Sequence, residues 1–263
     1  MSQIDLDKVE DLLPHDDSLD LWQEIVYDTI IDLCELSNER NGIYKWVAGH
    51  GGILEDITFR KKRLLRAKKG NPAWTYCCGL MLEHFFRCWK QWMQTLYETE
   101  FDMTWEMAKE LRAYFFCYDD PPHQKYKYSC AEAIKVLGEH IKERWKKASE
   151  GIEDQDELAA LSDYELDFVM HSDPYQARFG DYISMQPHED VMAGGHSCMF
   201  VCIEKRKRGG KMEDAIRVFN TNTKAGNAYG FDSGVGFSYY WVNKYDKKGF
   251  KRIFRFGSLR PKN

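Results

Sequence analysis

No stretch of this sequence comes near the ~20 apolar residues that a membrane-spanning helix needs. The opening residues, MSQIDLDKVEDLLPHDD, are acidic and lack the basic segment followed by an apolar one that marks a secretory signal peptide. The eight cysteines form no C-x-x-C pair, which speaks against a structural zinc ribbon. They are also too few and too irregularly scattered for a disulfide scaffold, so reduced thiols are expected. Positive charge is not in excess: the formal net charge is -5, which gives no global pull toward nucleic acid. Internal repeats and low-complexity segments are absent. The expectation is a cytoplasmic protein, or one exported without a Sec-type signal, with no nucleic-acid or membrane partner and no cofactor.

What is present is ample for a core. The chain has 263 residues, 43% of them hydrophobic, 30% charged and 14% aromatic, a globular rather than a disordered composition. Residues 1–18 read as an acidic lead-in and 19–263 as a single domain. Leu21, Ile25, Val26, Ile30, Leu33 and Leu36 recur at helical spacing between Leu19 and about Asn38. The glycine-punctuated loop NGIYKWVAGHGG follows. The basic run RKKRLLRAKKG, Arg60 to Gly70, is read as a solvated helix face, because no interleaved aromatics or second basic cluster accompany it in sequence.

After the turn signal GNPAW comes a long amphipathic helix. Leu80, Met81, Phe85, Cys88, Trp89, Trp92 and Leu96 form its apolar stripe, with Glu83, Arg87, Lys90 and Gln91 off it. Further helices are expected over about 105–116, 130–148 and 157–170, giving a helical insertion over about 98–177. Beyond that, short β-rich runs bounded by glycine or charge begin near Tyr182, Ser197, Ala215, Phe237 and Arg252, with EKRKRGGKMED as a hairpin tip. Helices first and strands second point to an α+β fold with a mostly antiparallel sheet.

The adjacent pair Cys77–Cys78 opens the amphipathic helix. A thiol nucleophile needs a lowered pKa, a base and a donor for the oxyanion. A helix N-terminus favours the thiolate through its dipole and its free N–H groups. Among the eight histidines, His196 stands out, because AGGHSCMFVCIE places it after two glycines at the entrance of an apolar strand. The next strand ends in Asn220 and Asn222, both on the face of Ile216 and Val218. Either asparagine could orient the imidazole if the two strands pair. Successive helical residues lie about 100° apart around the axis, so one thiol of the pair faces the histidine strand and the other turns to packing. Spacing alone does not say which.

The segment Cys77-Cys78-Gly79-Leu80 resembles the D-C-S-G-L signature of the NlpC-type cell-wall cysteine peptidases, a papain-like group. GDYISM (Gly180 to Met185) and HSCMFV (His196 to Val201) resemble the G-D-L-V-F and H-V-G-I-Y strands of that family, in the same order. Tyr76 stands where the signature has an acidic residue, and Cys78 where it has serine. The related CHAP-like amidases carry an asparagine on the strand after the histidine, as Asn222 is here. The resemblance implies a papain-like α+β fold with the nucleophile helix packed on a C-terminal antiparallel sheet. It also implies a cysteine peptidase or amidase with Cys77 as nucleophile, His196 as base, and Asn220 or Asn222 as the orienting residue. The implied substrate is a peptidoglycan stem peptide or related peptide. Two other readings stand beside it: a non-catalytic binding protein on the same scaffold, and a metal site of Cys77, Cys78 and His196.

Overall fold

Helix starts in the first half are written into the sequence as caps. Asp5 caps α1 (Leu6–Leu12) by accepting the Lys8 N–H, so the acidic lead-in contributes a helix whose Val9 and Leu12 enter the core. Asp20 and Gln23 form a capping box at α2 (Leu21–Glu39), each side chain accepting the other's backbone N–H at 2.9 and 3.2 Å. α3 (Cys77–Tyr97) buries Leu80, Met81, Phe85, Cys88, Trp89 and Trp92. It meets α2 through an edge contact between Trp22 and Trp92, ring centroids 5.8 Å apart. Each such large apolar side chain contributes roughly 1.5–3 kcal/mol on leaving water. The computed structural model describes residues 3–15, 18–45, 52–59, 61–97, 105, 108–109, 130–150, 166–186, 196–243 and 253–261.

The strands are β1 (Ile43–Tyr44), β2 (Ile57–Phe59), β3 (Lys62–Leu65), β4 (Trp74–Thr75), β5 (Leu166–His171), β6 (Tyr182–Gln186), β7 (His196–Arg208), β8 (Lys211–Asn222), β9 (Gly234–Trp241) and β10 (Ile253–Pro261). Six of them form one antiparallel sheet in the order β5-β10-β6-β7-β8-β9. β1 and β4 pair in parallel, and β2 and β3 form a separate hairpin. One sheet face, with Tyr182, Met199, Phe219, Val235 and Phe237, packs with α2 and α3. The other carries Ile183, Cys198, Phe200, Ile216, Val218 and Phe256. The chain is therefore α+β with an antiparallel sheet.

Three expectations are corrected. The basic run is not a helix face: its residues Lys62–Leu65 are strand β3, which pairs with β2 across a turn at Lys61, whose φ is 63°, and 66–70 are irregular. The helix expected over 157–170 is, from Leu166 on, strand β5, because Leu166 and Phe168 alternate inward along β10. So the segment 98–177 is not wholly helical: it contributes α4 (Cys130–Ser149) and an edge strand. Glu83, placed off the apolar stripe, is 1% exposed. It is buried because it accepts the N–H groups of Leu54 (2.7 Å) and Glu55 (3.3 Å) and pairs with Arg87 at 3.0 Å. The helix expected over 105–116 and residues 157–165 lie almost entirely outside the described residues. Among the described residues no helix is long and apolar enough to cross a membrane.

Candidate active site

β4 delivers the chain to α3. Tyr76 closes the first turn, its C=O accepting the Leu80 N–H at 3.0 Å while its own N–H donates to Gly52 O at 3.2 Å. The Tyr76 ring lies so close to Gly52 that a Cβ there would sit 2.2 Å from it, and Gly52 has φ 67°. Only glycine fits both conditions. Cys77 is thus the first helical residue, where backbone N–H groups have no intrahelical partner. Thr75 fixes this entry to the sheet: its hydroxyl lies 2.5 Å from that of Thr221 on β8 and 3.3 Å from Ile43 O.

Cys77 is 5% exposed, and its thiol is held well below the usual thiol range. The largest cause is a hydrogen bond from the Cys78 thiol. The charge and ring of His196 and the Ser197 backbone N–H add to it, against the opposing effect of burial. Cys34, Cys88, Cys130 and Cys202 behave oppositely: burial pushes each of these thiols up. Cys78 therefore does more than pack; its sulfur is a neighbour of the Cys77 sulfur.

His196 begins β7 and lies opposite Met185 of β6. Its Nε2 is 3.1 Å from Asn220 Nδ2, which leaves Nδ1 for the thiol. The imidazolium form would donate from Nε2, and the isosteric exchange of amide oxygen and nitrogen in Asn220 supplies the acceptor. Asn220 is fully buried and lies 3.1 Å from Ser238 Oγ on β9; that hydroxyl in turn donates to Gly226 O at 2.7 Å. Asn222 is not brought to His196. Its Oδ1 accepts the Thr223 N–H at 2.9 Å, and Gly226 packs against its amide, so it shapes the turn that follows.

Two side chains escaped the sequence reading. Tyr44 packs against Cys77 and Cys78, and its phenol is pushed up to about 12 by burial first and then by the two thiols. It therefore stays protonated and able to donate. Its N–H donates to Ser233 Oγ at 3.2 Å, holding it beside the cysteines. β1 is two residues long, too short for any periodic signal. Ser238 was equally hidden, because nothing in a strand sequence says which hydroxyl meets an asparagine across the sheet. A second Cys–His pair lies in the core: Cys88 Sγ is 3.5 Å from His84 Nδ1. Both residues are fully buried, and burial lowers His84 to about 3. Among the described residues no group of three His, Cys, Asp or Glu side chains is placed to hold a metal ion. Compared with family models, curated proteins and solved structures, the chain finds no match.

Proposed function

We propose that the protein is a papain-like thiol hydrolase that cleaves an amide bond of a peptide, a peptidoglycan stem peptide being the substrate that the NlpC-type and CHAP-like resemblance suggests. One observation carries the reading. Cys77, His196 and Asn220 come from three different elements and meet in order, with the thiol depressed and the imidazole held from behind. His196 keeps the Cys77 proton, and the thiolate attacks the carbonyl carbon. The developing oxyanion is met by backbone N–H groups at the start of α3 and by the Tyr44 hydroxyl. His196 then returns the proton to the leaving amine as the C–N bond breaks, and a thioester to Cys77 remains. Water, deprotonated by His196, attacks that thioester, and release of the carboxylic acid restores the thiol.

The test is alkylation with limiting iodoacetamide between about pH 5 and pH 9, a range that spans the ordinary histidine and thiol values, with peptide mapping of the modified site. Rapid modification of Cys77 below neutrality, lost in His196→Ala, is expected. Modification spread over several cysteines with ordinary pH dependence, unchanged by that substitution, would leave a non-catalytic binding protein.

A further inference from the structure

The basic segment around β2 and β3 has no part in the chemistry above, yet it leads directly to the nucleophile. Lys68 and Lys45 both sit on the ring of Trp74, their Nζ atoms 4.2 and 4.0 Å from its centroid. Lys62 lies over Trp105 at 5.6 Å. Aromatics are therefore interleaved with the basic residues after all, brought in from β4 and from residue 105. An indole face attracts an ammonium group, but two ammonium groups on one ring also repel each other.

Lys68 further donates to Pro72 O at 3.0 Å. Among the described residues neither Lys45 nor Lys68 has a carboxylate partner, and neither do Arg66 and Lys69. The neighbouring Arg63 does, with Asp56 at 3.5 Å. In a chain of net charge -5, this is a local cationic cluster with no counter-charge among the described residues.

We propose that Lys45 and Lys68, gathered on Trp74, form a subsite that seats carboxylates of an acidic peptide substrate beside the bond to be cleaved. Trp74 precedes Cys77 by three residues, a span of at most about 10 Å along extended chain. Lys45 is anchored by its N–H to Thr75 O at 2.9 Å and directly follows Tyr44, which packs on the cysteine pair. A carboxylate a few residues from the scissile amide falls within that reach. A nucleic acid fits less well. The Trp74 ring already carries two ammonium groups, which compete with a stacking base for it, and a thiol nucleophile needs an acyl carbon that nucleic acid lacks. The word "substrate" rests on the hydrolase reading; the anion subsite does not.

The full-length chain carrying Cys77→Ala, titrated against fluorescein-labelled octaglutamate and followed by fluorescence anisotropy, separates the two. Binding that weakens as salt is raised is expected. Lys45→Ala/Lys68→Ala should weaken it at least about fivefold, the scale of one to two exposed charge contacts. Lys224→Ala, in an exposed loop whose lysine already pairs with Asp232, should leave it unchanged, and circular dichroism should show all variants folded. Octaglutamate binding that is absent, or indifferent to the two lysines, overturns the subsite. So does tighter, lysine-dependent binding of a duplex DNA oligonucleotide. If octaglutamate binds as expected while Cys77 of the wild type alkylates as an ordinary thiol, the hydrolase reading fails and the subsite stands.

Discussion

Among the described residues there are two cysteine–histidine pairs, and their difference lies in what surrounds the imidazole. His84 has Tyr182 Oη at 2.8 Å and no exposure, so protonating it would bury an unpaired charge. His196 is only partly buried and has Asn220 behind it and a thiol in front. Cys88→Ala should therefore leave the alkylation profile of Cys77 unchanged. Because the Cys77 value is depressed, its thiolate persists as pH falls below the ordinary thiol range and is lost only on passing the lowered folded value. Cys78→Ala and His196→Ala each remove a lowering contact, so each should move the onset of alkylation to higher pH, measured as rate against pH. By linkage, the stability that this shift contributes is fully present above the unfolded thiol value and lost as pH falls through the folded one. Asn220→Ala should lower kcat/KM about 10- to 100-fold and Asn222→Ala hardly at all, measured on whichever peptide is turned over. Tyr44→Phe should lower kcat more than it raises KM, by about 100-fold, if its hydroxyl meets the oxyanion.

At the scale of elements, α3 was the most legible part of the chain, because one helix against one sheet imposes a 3.6-residue stripe on the sequence. Its exception shows the limit of that pattern. Glu83 looks like a solvated residue by spacing, but the N–H groups of Leu54 and Glu55 have no strand to pair with and turn to its carboxylate instead. Burial, the largest cause, raises the Glu83 value on balance, and Arg87 and the two N–H groups offset part of that rise. Glu83→Ala should leave the Leu54 and Glu55 N–H groups without their acceptor, while Arg87 keeps Glu55 at 3.2 Å, and cost about 1–3 kcal/mol in urea unfolding. Replacing Gly52 with alanine should displace the Tyr76 ring and with it the start of α3. Strand β5 was unreadable for another reason: Leu166, Phe168 and Met170 alternate on one face, but Met170 is exposed and Val169 half-buried, which blurs the period of two. The β7–β8 hairpin was readable because Gly209 and Gly210 both take positive φ (56° and 87°), the requirement of a tight hairpin turn.

Across the whole molecule, strand order is what sequence patterning does not encode. β10 lies between β5 and β6, so residues 253–261 bridge the edge of the sheet to the strand that supports the histidine. That support runs through α4. The Ala131 N–H donates to Ser184 Oγ at 3.0 Å, Ser184 donates to Glu132 at 2.9 Å, and Arg255 of β10 pairs with Glu132 at 3.0 Å. Ser184 in turn lies opposite Ser197, whose backbone N–H reaches the Cys77 sulfur. The start of α4 approaches β10 closely only because residue 257 is glycine: a Cβ there would stand 2.7 Å from Ala131 O. Gly257→Val must therefore push α4 away from the sheet, loosening Ser184 and the strand that carries His196. Overpacking of this kind costs typically 1–3 kcal/mol, so the expected result is a lower midpoint in thermal unfolding. It should also slow Cys77 alkylation near neutral pH at temperatures where the variant is still folded. A variant that loses stability but keeps the wild-type alkylation profile would mean that α4 supports the sheet without setting the geometry of the thiol–imidazole pair.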